Sequence, residues 1–335
     1  MSTGTATEER PKRRWRRWAI LGGLTLVVLL NALIAFWLVW TGQPATQLPV
    51  VKALTRNQPP HFLFSIYGVE RPLGIALSPD GQRIYVAEAG GERLVRIFDR
   101  SGKPVGSLEP PNDQWTMRSP RFVTVDPGGQ VYVSDRTKLD VLIYSQDGKL
   151  IDEVGSPEEG GTWAPLALAV GPNGELYVTE ASADRQRVVV FDNLGEARLV
   201  FGEPGEDPGQ ILFANGVVTD EKGRVFVSNG NNGRVDIFAP DGTYLESIDG
   251  SDTGALGLPR GLAMDDLGRL YVVDTVNQNV VVFDVQGPRP KFLFSFGGYG
   301  IGDGEWRYPV GIAADGAGRV YVTDRINNRV QVWSY

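Results

Sequence analysis

The side chains that could do chemistry recur at one position of a repeated segment. A carboxylate or amide ends six similar apolar stretches, and these residues are Glu88, Asp135, Glu180, Asn229, Asp274 and Asp324. A ring of acids could bind a cation. Most of them are followed five residues later by a potential partner, namely Arg93, Arg185, Arg234, Asn279 or Arg329. We therefore expect the acids to fix hairpins through pairing rather than to bind a metal.

The second copy of the segment departs from this pattern. There Asp135 is followed five residues later by Asp140, and two carboxylates in register repel each other unless something neutralises them. Two bases, Arg136 and Lys138, lie between them in the sequence. Either these bases and the preceding Arg121 simply neutralise the acids, or the acids orient Arg121 or hold a cation.

The position of Arg121 in the repeat supports the interpretation that the acids orient it for a function. Arg121 precedes Phe122, which replaces a glycine found at this point in most copies. The same position is Asn215 in the fourth copy and Arg260 in the fifth. Arg121, Asn215 and Arg260 could together donate hydrogen bonds to an anionic ligand such as a carboxylate.

Three tryptophans lie between copies and could recognise a sugar or a peptide. Trp306 stands three residues before a proline, in the aromatic position of the repeat, so we expect it to pack inside the fold. Trp115 and Trp163 are outside that register, and both are candidates for surface recognition.

The elements that must position these side chains form six repeats. Each repeat has a β-branched and aromatic strand after a tight turn, with an apolar strand on either side and, in most copies, a weaker fourth. Four strands in six repeats predict an all-β, six-bladed β-propeller. The last repeat ends at Tyr335 after its third strand. Residues 61–68 resemble the fourth strand at 292–297, so we expect them to close the ring.

The repeats resemble the NHL repeat, most clearly over residues 302–333. The resemblance covers 61–335 and implies a propeller of a kind that serves as a binding module, a sensor or an enzyme. Related lyases use a histidine-ligated zinc, but the only histidine is His61. Related lactonases bind a metal through residues before the first-strand glycine, where Asn215 alone fits.

The N-terminal segment predicts a membrane anchor. Residues 18–40 carry no charge and are long enough to cross a bilayer, and the basic run 12–17 precedes them. We expect a cytoplasmic tail at 1–17, a single transmembrane helix at 18–40, an extended linker at 41–60, and the propeller at 61–335 outside the cytoplasm.

Composition narrows the function classes. The chain has no cysteine, which excludes a thiolate nucleophile or a cysteine-ligated metal. Its net charge of −7 includes the basic N-terminal run, so the propeller is more acidic still and a poor match for nucleic acid. We expect a binding, interaction or sensor module for a protein or small anionic ligand, with no cofactor. A hydrolase or lyase and an accessory subunit of a membrane complex are the alternatives.

Overall fold

The computed structural model describes residues 29, 31–36, 57–108, 118–158, 163–251 and 255–335. The chain divides into two units, residues 1–54 and residues 55–335. Residue 29 and residues 31–36 are helical, and the rest of the predicted transmembrane helix and linker, up to residue 56, lies outside the described residues. Within the described part, no helix is long and apolar enough to cross a membrane.

The strands of residues 61–335 form six four-stranded antiparallel sheets, which are the blades of a propeller. Blades 1 to 3 contain β2 (Pro72–Leu77), β3 (Arg83–Glu88), β4 (Val95–Asp99), β5 (Pro104–Ser107), β6 (Pro120–Val125), β7 (Val131–Asp135), β8 (Asp140–Tyr144), β9 (Leu150–Val154), β10 (Pro165–Val170), β11 (Leu176–Ala181), β12 (Gln186–Phe191) and β13 (Ala197–Phe201). Blades 4 and 5 contain β14 (Ala214–Thr219), β15 (Val225–Asn229), β16 (Arg234–Phe238), β17 (Tyr244–Ile248), β18 (Pro259–Met264), β19 (Arg269–Asp274), β20 (Asn279–Asp284) and β21 (Lys291–Phe296). A 3-10 helix, Gly230–Asn232, links β15 to β16.

Blade 6 closes the ring with a strand from the start of the propeller. It contains β22 (Pro309–Ala314), β23 (Arg319–Asp324) and β24 (Arg329–Ser334), and β1 (His61–Ile66) pairs antiparallel with β24. The predicted closure by residues 61–68 is therefore confirmed. Across the same seam Arg100 forms a salt bridge of 3.1 Å with Asp315, so the two ends of the ring are also joined by charge.

Tight turns set the register between the first and second strands of the blades. In blade 5 the amide of Gly268 donates to the carbonyl of Asp265, and one carboxylate oxygen of Asp265 accepts from the amide of Arg269 at 2.9 Å. Gly268 has a φ of 65°, which lies in the left-handed region. Glycine adopts this conformation without the steric cost that a Cβ would bring.

The core lies between successive blades rather than at the centre of the ring. Tyr85, Ala87 and Val95 of blade 1 pack with Val123 and Val131 of blade 2, and all five are buried. The remaining core clusters join other pairs of neighbouring blades in the same way. Because each blade buries both faces, its strands are continuous apolar runs, as the sequence indicates.

The innermost strands meet closely around the axis. A Cβ on Gly311 of blade 6 would lie 2.3 Å from the carbonyl oxygen of Leu73 in blade 1, so only glycine fits there. The hydroxyl of Thr323, on the next strand out, accepts from the amide of Gly311 at 2.7 Å and donates to the same carbonyl at 2.8 Å. Equivalent hydroxyls donate to the next blade from Ser134, Thr179 and Ser228. These contacts place the residue that supplies each carbonyl, such as Leu73 or Arg260, at a fixed point near the axis.

Candidate functional site

The loop face of the propeller carries the loops that follow the second and fourth strands of the blades. This placement follows from the antiparallel order of the four strands in each blade. The acids that end the second strands lie on this side, and so do the residues that precede the first-strand glycines. Binding residues on propellers are expected on loops of this kind, because a rigid scaffold positions them.

The acids serve to hold the loops that join the blades. Asp324 accepts from the amide of Arg307 at 2.8 Å, and Asp274 accepts from the amides of Gly257 and Leu258. The equivalent bonds run from Glu70 to Glu88, from Ser119 to Asp135 and from Leu212 to Asn229. All six strand-end residues are buried, including Glu180. A carboxylate that accepts backbone amides is well satisfied without a metal.

The predicted pairing across the hairpins is right in blade 6 and wrong in blades 1, 3 and 4. Arg329 does pair with Asp324, at 2.9 Å. In blade 3, however, Glu180 pairs with Arg187 at 2.7 Å, because β11 extends to Ala181 and Arg187 is the residue opposite Glu180 in register. Arg185 then falls in the turn, where it pairs with Glu158.

The predicted partners in blades 1 and 4 also have different contacts. In blade 1 the carboxylate of Glu88 pairs with Arg96 at 3.2 Å rather than with Arg93. In blade 4 Arg234 pairs with Asp236 at 2.8 Å, and Asn229 also contacts Asp236. Only the Glu180–Arg187 pair follows directly from the strand register. Arg234 does lie opposite Asn229 but bonds to Asp236 on its own strand, and Arg96 lies opposite Val86 rather than Glu88.

Asp135 and Asp140 are opposite each other in register, as the sequence indicates. Asp135 accepts three backbone amides, from Ser119, Thr137 and Lys138, so its oxygens hold the local backbone. Burial raises the pKa of Asp140, and the charge of Glu153 raises it further. The ammonium of Lys138 lies 3.9 Å from Asp140. These contacts match the interpretation in which neighbouring groups satisfy the two acids. Within the described ranges no three acids or histidines are grouped to hold a metal ion.

Arg260 and Arg325 of neighbouring blades lie on the ring of Tyr308, and Arg121 is within electrostatic range of both. We call Arg121, Arg260 and Arg325 the arginine cluster. Burial lowers the pKa of Arg121, and the positive charges of Arg136, Arg325 and Arg260 lower it further against the opposing charge of Asp135. Burial lowers the pKa of Arg260 too, and the charge of Arg325 adds to that effect. Like charges that depress each other in this way are within electrostatic range.

The cluster lacks the carboxylate partners that satisfy most other arginines of the propeller. Among the described residues, no salt bridge is formed by Arg121, Arg260 or Arg325. The Nε atom of each is buried without a hydrogen-bond partner. A buried donor left unpaired costs about 1–3 kcal/mol, so these three Nε atoms oppose folding unless they acquire an acceptor.

Tyr308 supports two members of the cluster. The guanidinium of Arg260 lies 5.2 Å from the centre of the Tyr308 ring and donates to its hydroxyl at 3.0 Å, and Arg325 lies 5.4 Å from the same ring. Tyr308 has φ of 61°, a left-handed conformation that is uncommon for a residue with a side chain. Its amide donates to Gln278 at 2.8 Å, which holds that conformation.

The structure brings together Arg121 and Arg260 but not the other sequence candidates. Asn215 is 2% exposed and donates to the carbonyl of Phe213 at 3.2 Å, so it belongs to the local loop. Trp163 is also 2% exposed and packs against Phe191 with ring centres 6.0 Å apart, which replaces surface recognition by a packing role. Trp115 lies outside the described residues. Trp306 is fully buried, as predicted.

Two residues of the site are missing from the sequence-based candidates. Arg325 directly follows the acid of blade 6, as Arg136 follows the acid of blade 2, and this shared position is the signal that could have identified it. Tyr308 directly precedes the first strand of blade 6. Its role depends on a contact with Arg260 of the neighbouring blade, which no spacing within one repeat reveals.

Apolar side chains and glycines line a small cavity of about 40 Å³, to which the first strands of all six blades contribute. Phe122 is among the lining residues and also packs against the core between blades 3 and 4. His61 is exposed on β1, the outermost strand of blade 6, so it does not line this cavity.

Comparison with known proteins gives the repeat its name. A sequence profile described as the NHL repeat matches residues 256–283 and 307–333. The chain carries NHL repeats. Propellers built from NHL repeats commonly mediate protein interactions.

Individual relatives match part of the NHL propeller. The E3 ubiquitin-protein ligase TRIM71 of Gallus gallus is 30% identical over 182 residues, which is 51% of this chain and 21% of that protein. NHL-repeat-containing protein 4 of Mus musculus is 28% identical over 135 residues, which is 39% of this chain and 90% of that protein. The match thus spans only about a fifth of the length of the ligase.

Solved structures share the fold of the NHL propeller. Virginiamycin B lyase from Staphylococcus aureus aligns with a TM-score of 0.56 at 15% identity, over 79% of this chain and 94% of that chain. A structural genomics protein from Bacteroides thetaiotaomicron aligns with a TM-score of 0.61 at 16% identity, over 82% of this chain and 72% of that chain. At these identities the likeness shows the fold alone.

Proposed function

We propose that the protein is a membrane-anchored binding module whose propeller captures an anionic group of a protein or small ligand at the centre of its loop face. The anchor is the helix expected at 18–40, and the basic run before it supports a location of the propeller outside the cytoplasm. The arginine cluster is the capturing site. The role as an interaction module agrees with the NHL repeats of the chain.

The observation that carries the proposal is the set of unpaired guanidinium donors in the cluster. Each of Arg121, Arg260 and Arg325 has a buried Nε without a partner, and their charges lower the pKa of Arg121. An oxyanion bound between them would satisfy these donors and remove the mutual repulsion. Hydrogen bonds between guanidinium and carboxylate are among the strongest that proteins make.

A thermal-shift experiment tests the anion site. The full-length chain is heated in chloride, acetate, succinate or citrate at constant ionic strength. A ligand present at about 100 times its Kd stabilises the folded state by about 2.7 kcal/mol, which raises the Tm of a domain of this size by roughly 5–10 °C. We expect the multivalent carboxylates to raise the Tm of the parent by a shift of this kind and acetate to raise it less.

The variants Arg121→Leu and Arg260→Leu should lose that shift. Leucine is the natural residue at the same position in blades 1 and 3, Leu73 and Leu166, so the fold accepts it there. Arg198→Ala is the matched control, because Arg198 is exposed on β13 and pairs locally with Asp192. If both leucine variants keep the shift of the parent, the arginine cluster is not the site.

A protease experiment tests the topology separately. Protease added to intact cells, after any wall is removed, should degrade the propeller. Complete protection under conditions that digest a known external protein would contradict the proposed location.

A further inference from the structure

A strip of cationic and apolar side chains leads away from the arginine cluster over blade 6. We call Arg325, Ile326, Arg307, Tyr299 and Ile301 the blade-6 strip. The amide of Ile326 donates to the carbonyl of Arg307 at 3.1 Å, and the guanidinium of Arg307 lies 5.5 Å from the centre of the Tyr299 ring. Asn327 donates to the carbonyl of Gly300 at 2.9 Å, which ties the two loops of the strip together.

The apolar members of the strip are exposed although their loops are well fixed. Tyr299 and Ile301 are each 67% exposed, and Ile326 is 50% exposed. Single exposed apolar residues are common on protein surfaces, but here they adjoin one another and a cationic centre. An aromatic and aliphatic surface beside arginine is the composition of a protein-binding surface.

The arginines of the strip, like those of the cluster, have Nε atoms without hydrogen-bond partners. In the described residues, five arginines have a buried Nε without a partner, and four of them belong to the cluster or the strip: Arg121, Arg260, Arg307 and Arg325. The fifth, Arg100, uses another nitrogen to bind Asp315. Most of the arginine Nε atoms that lack partners in the described residues therefore belong to the cluster and the strip.

We infer that the blade-6 strip binds an extended peptide segment of a partner protein, with acidic residues at the arginine cluster and apolar residues over Tyr299 and Ile301. This inference rests on the proposed function of the cluster. Charge complementarity requires acidic residues in the part of the peptide that lies at the arginine cluster, since guanidinium groups need oxyanion acceptors. The other part of the peptide should be apolar, because apolar side chains would cover the exposed Tyr299, Ile301 and Ile326 and remove water from them.

A nucleic acid strand fits this surface less well. Stacking on Tyr299 and contacts to arginine could serve a base and a phosphate. A strand carries a charge at every nucleotide, however, and beyond the strip it would meet a protein whose net charge is −7 even with its basic N-terminal run. A short acidic peptide places its charges only at the cluster.

Phage display tests the inference. A random dodecapeptide library is selected against the immobilised full-length chain. We expect enrichment of peptides in which adjacent acids are followed, within a few positions, by an aromatic or branched aliphatic residue. A labelled single-stranded oligonucleotide and the best selected peptide are then compared by fluorescence anisotropy. Absence of enrichment, enrichment without acids, or tighter binding of the oligonucleotide would overturn the inference.

Variants separate this inference from the proposed function. Tyr299→Ser together with Ile301→Ser should weaken the selected peptide by at least about tenfold and leave a version with serine in place of its apolar residues unaffected. Arg260→Leu should weaken both peptides. Leu194→Ser, at an 83% exposed position in the turn between β12 and β13, is the control and should change neither.

The outcomes are distinguishable. If Arg260→Leu weakens binding but the double serine variant does not, the strip inference fails and the anion site stands. If Arg260→Leu leaves both peptides unaffected, the proposed function itself fails. Equal melting temperatures of parent and variants establish that the losses are not due to unfolding.

Discussion

Thr323→Val tests whether the hydroxyls around the axis hold the ring together. Thr323 is fully buried; its hydroxyl accepts from the amide of Gly311 at 2.7 Å and donates to the carbonyl of Leu73 at 2.8 Å, across the seam between blades 6 and 1. Valine has nearly the same shape but can do neither. Two buried backbone groups would be left unpaired at about 1–3 kcal/mol each, so we expect a loss of about 2–6 kcal/mol in the free energy of unfolding.

Urea denaturation followed by tryptophan fluorescence measures this loss as a lower midpoint with an unchanged slope. The reciprocal change, Ala87→Ser, restores a hydroxyl at the equivalent position of blade 1, where the Arg121 carbonyl lies close to Gly74 across the seam between blades 1 and 2. We expect it to gain about 0.5–1.5 kcal/mol. A loss below about 0.5 kcal/mol for Thr323→Val would refute the reasoning, because the seam would then depend on β-strand pairing and apolar packing alone.

Three further predictions concern stability. Deletion of residues 58–68 should expose the edge of β24 and lower the melting temperature, with aggregation visible in light scattering; an unchanged Tm would exclude ring closure by β1 as a source of stability. The pKa of Asp140 is raised in the folded state, so its protonated form favours folding below about pH 4, and that contribution is lost as the pH rises through the raised value. In urea titrations, Asp140→Asn should therefore be more stable than the parent toward neutral pH and equally stable at low pH. Parallel curves of stability against pH for the two proteins would contradict this. Gly311→Ala should lower the Tm because its Cβ would meet a backbone carbonyl at 2.3 Å, whereas Gly316→Ala, with open space around it, should not; equal effects would refute the close-approach argument.

The sequence alone predicts the propeller because its signals are repeated six times. A tight turn, an apolar strand and a polar strand end recur in each copy, and errors in one copy are corrected by the others. The closure by β1 was predictable for the same reason, since 61–68 resembles 292–297. The transmembrane helix remains a prediction from hydropathy and charge.

Contacts between repeats were less predictable. The partner of Glu180 is Arg187 and not Arg185, because β11 extends one residue further than the equivalent strand in blade 6. Trp163 lies outside the aromatic register of the repeat but is buried against Phe191. In each case the deciding feature is a local change in strand length or loop path. The repeat pattern describes only what the copies share, so it does not reveal such a change.

The arginine cluster occupies positions that the architecture leaves free to vary. Glycines and hydroxyls hold the inner strands together, and the buried acids hold the loops between blades. The residue before the first-strand glycine has neither duty: it is Leu73, Arg121, Leu166, Asn215, Arg260 or Val310 in successive blades. Because only its carbonyl serves the ring, its side chain can change without cost to closure. Arg121 and Arg260 therefore require an explanation outside folding, since each buries an Nε without a partner where leucine or valine suffices, and this opposes stability. The proposed binding of an anion would supply that explanation.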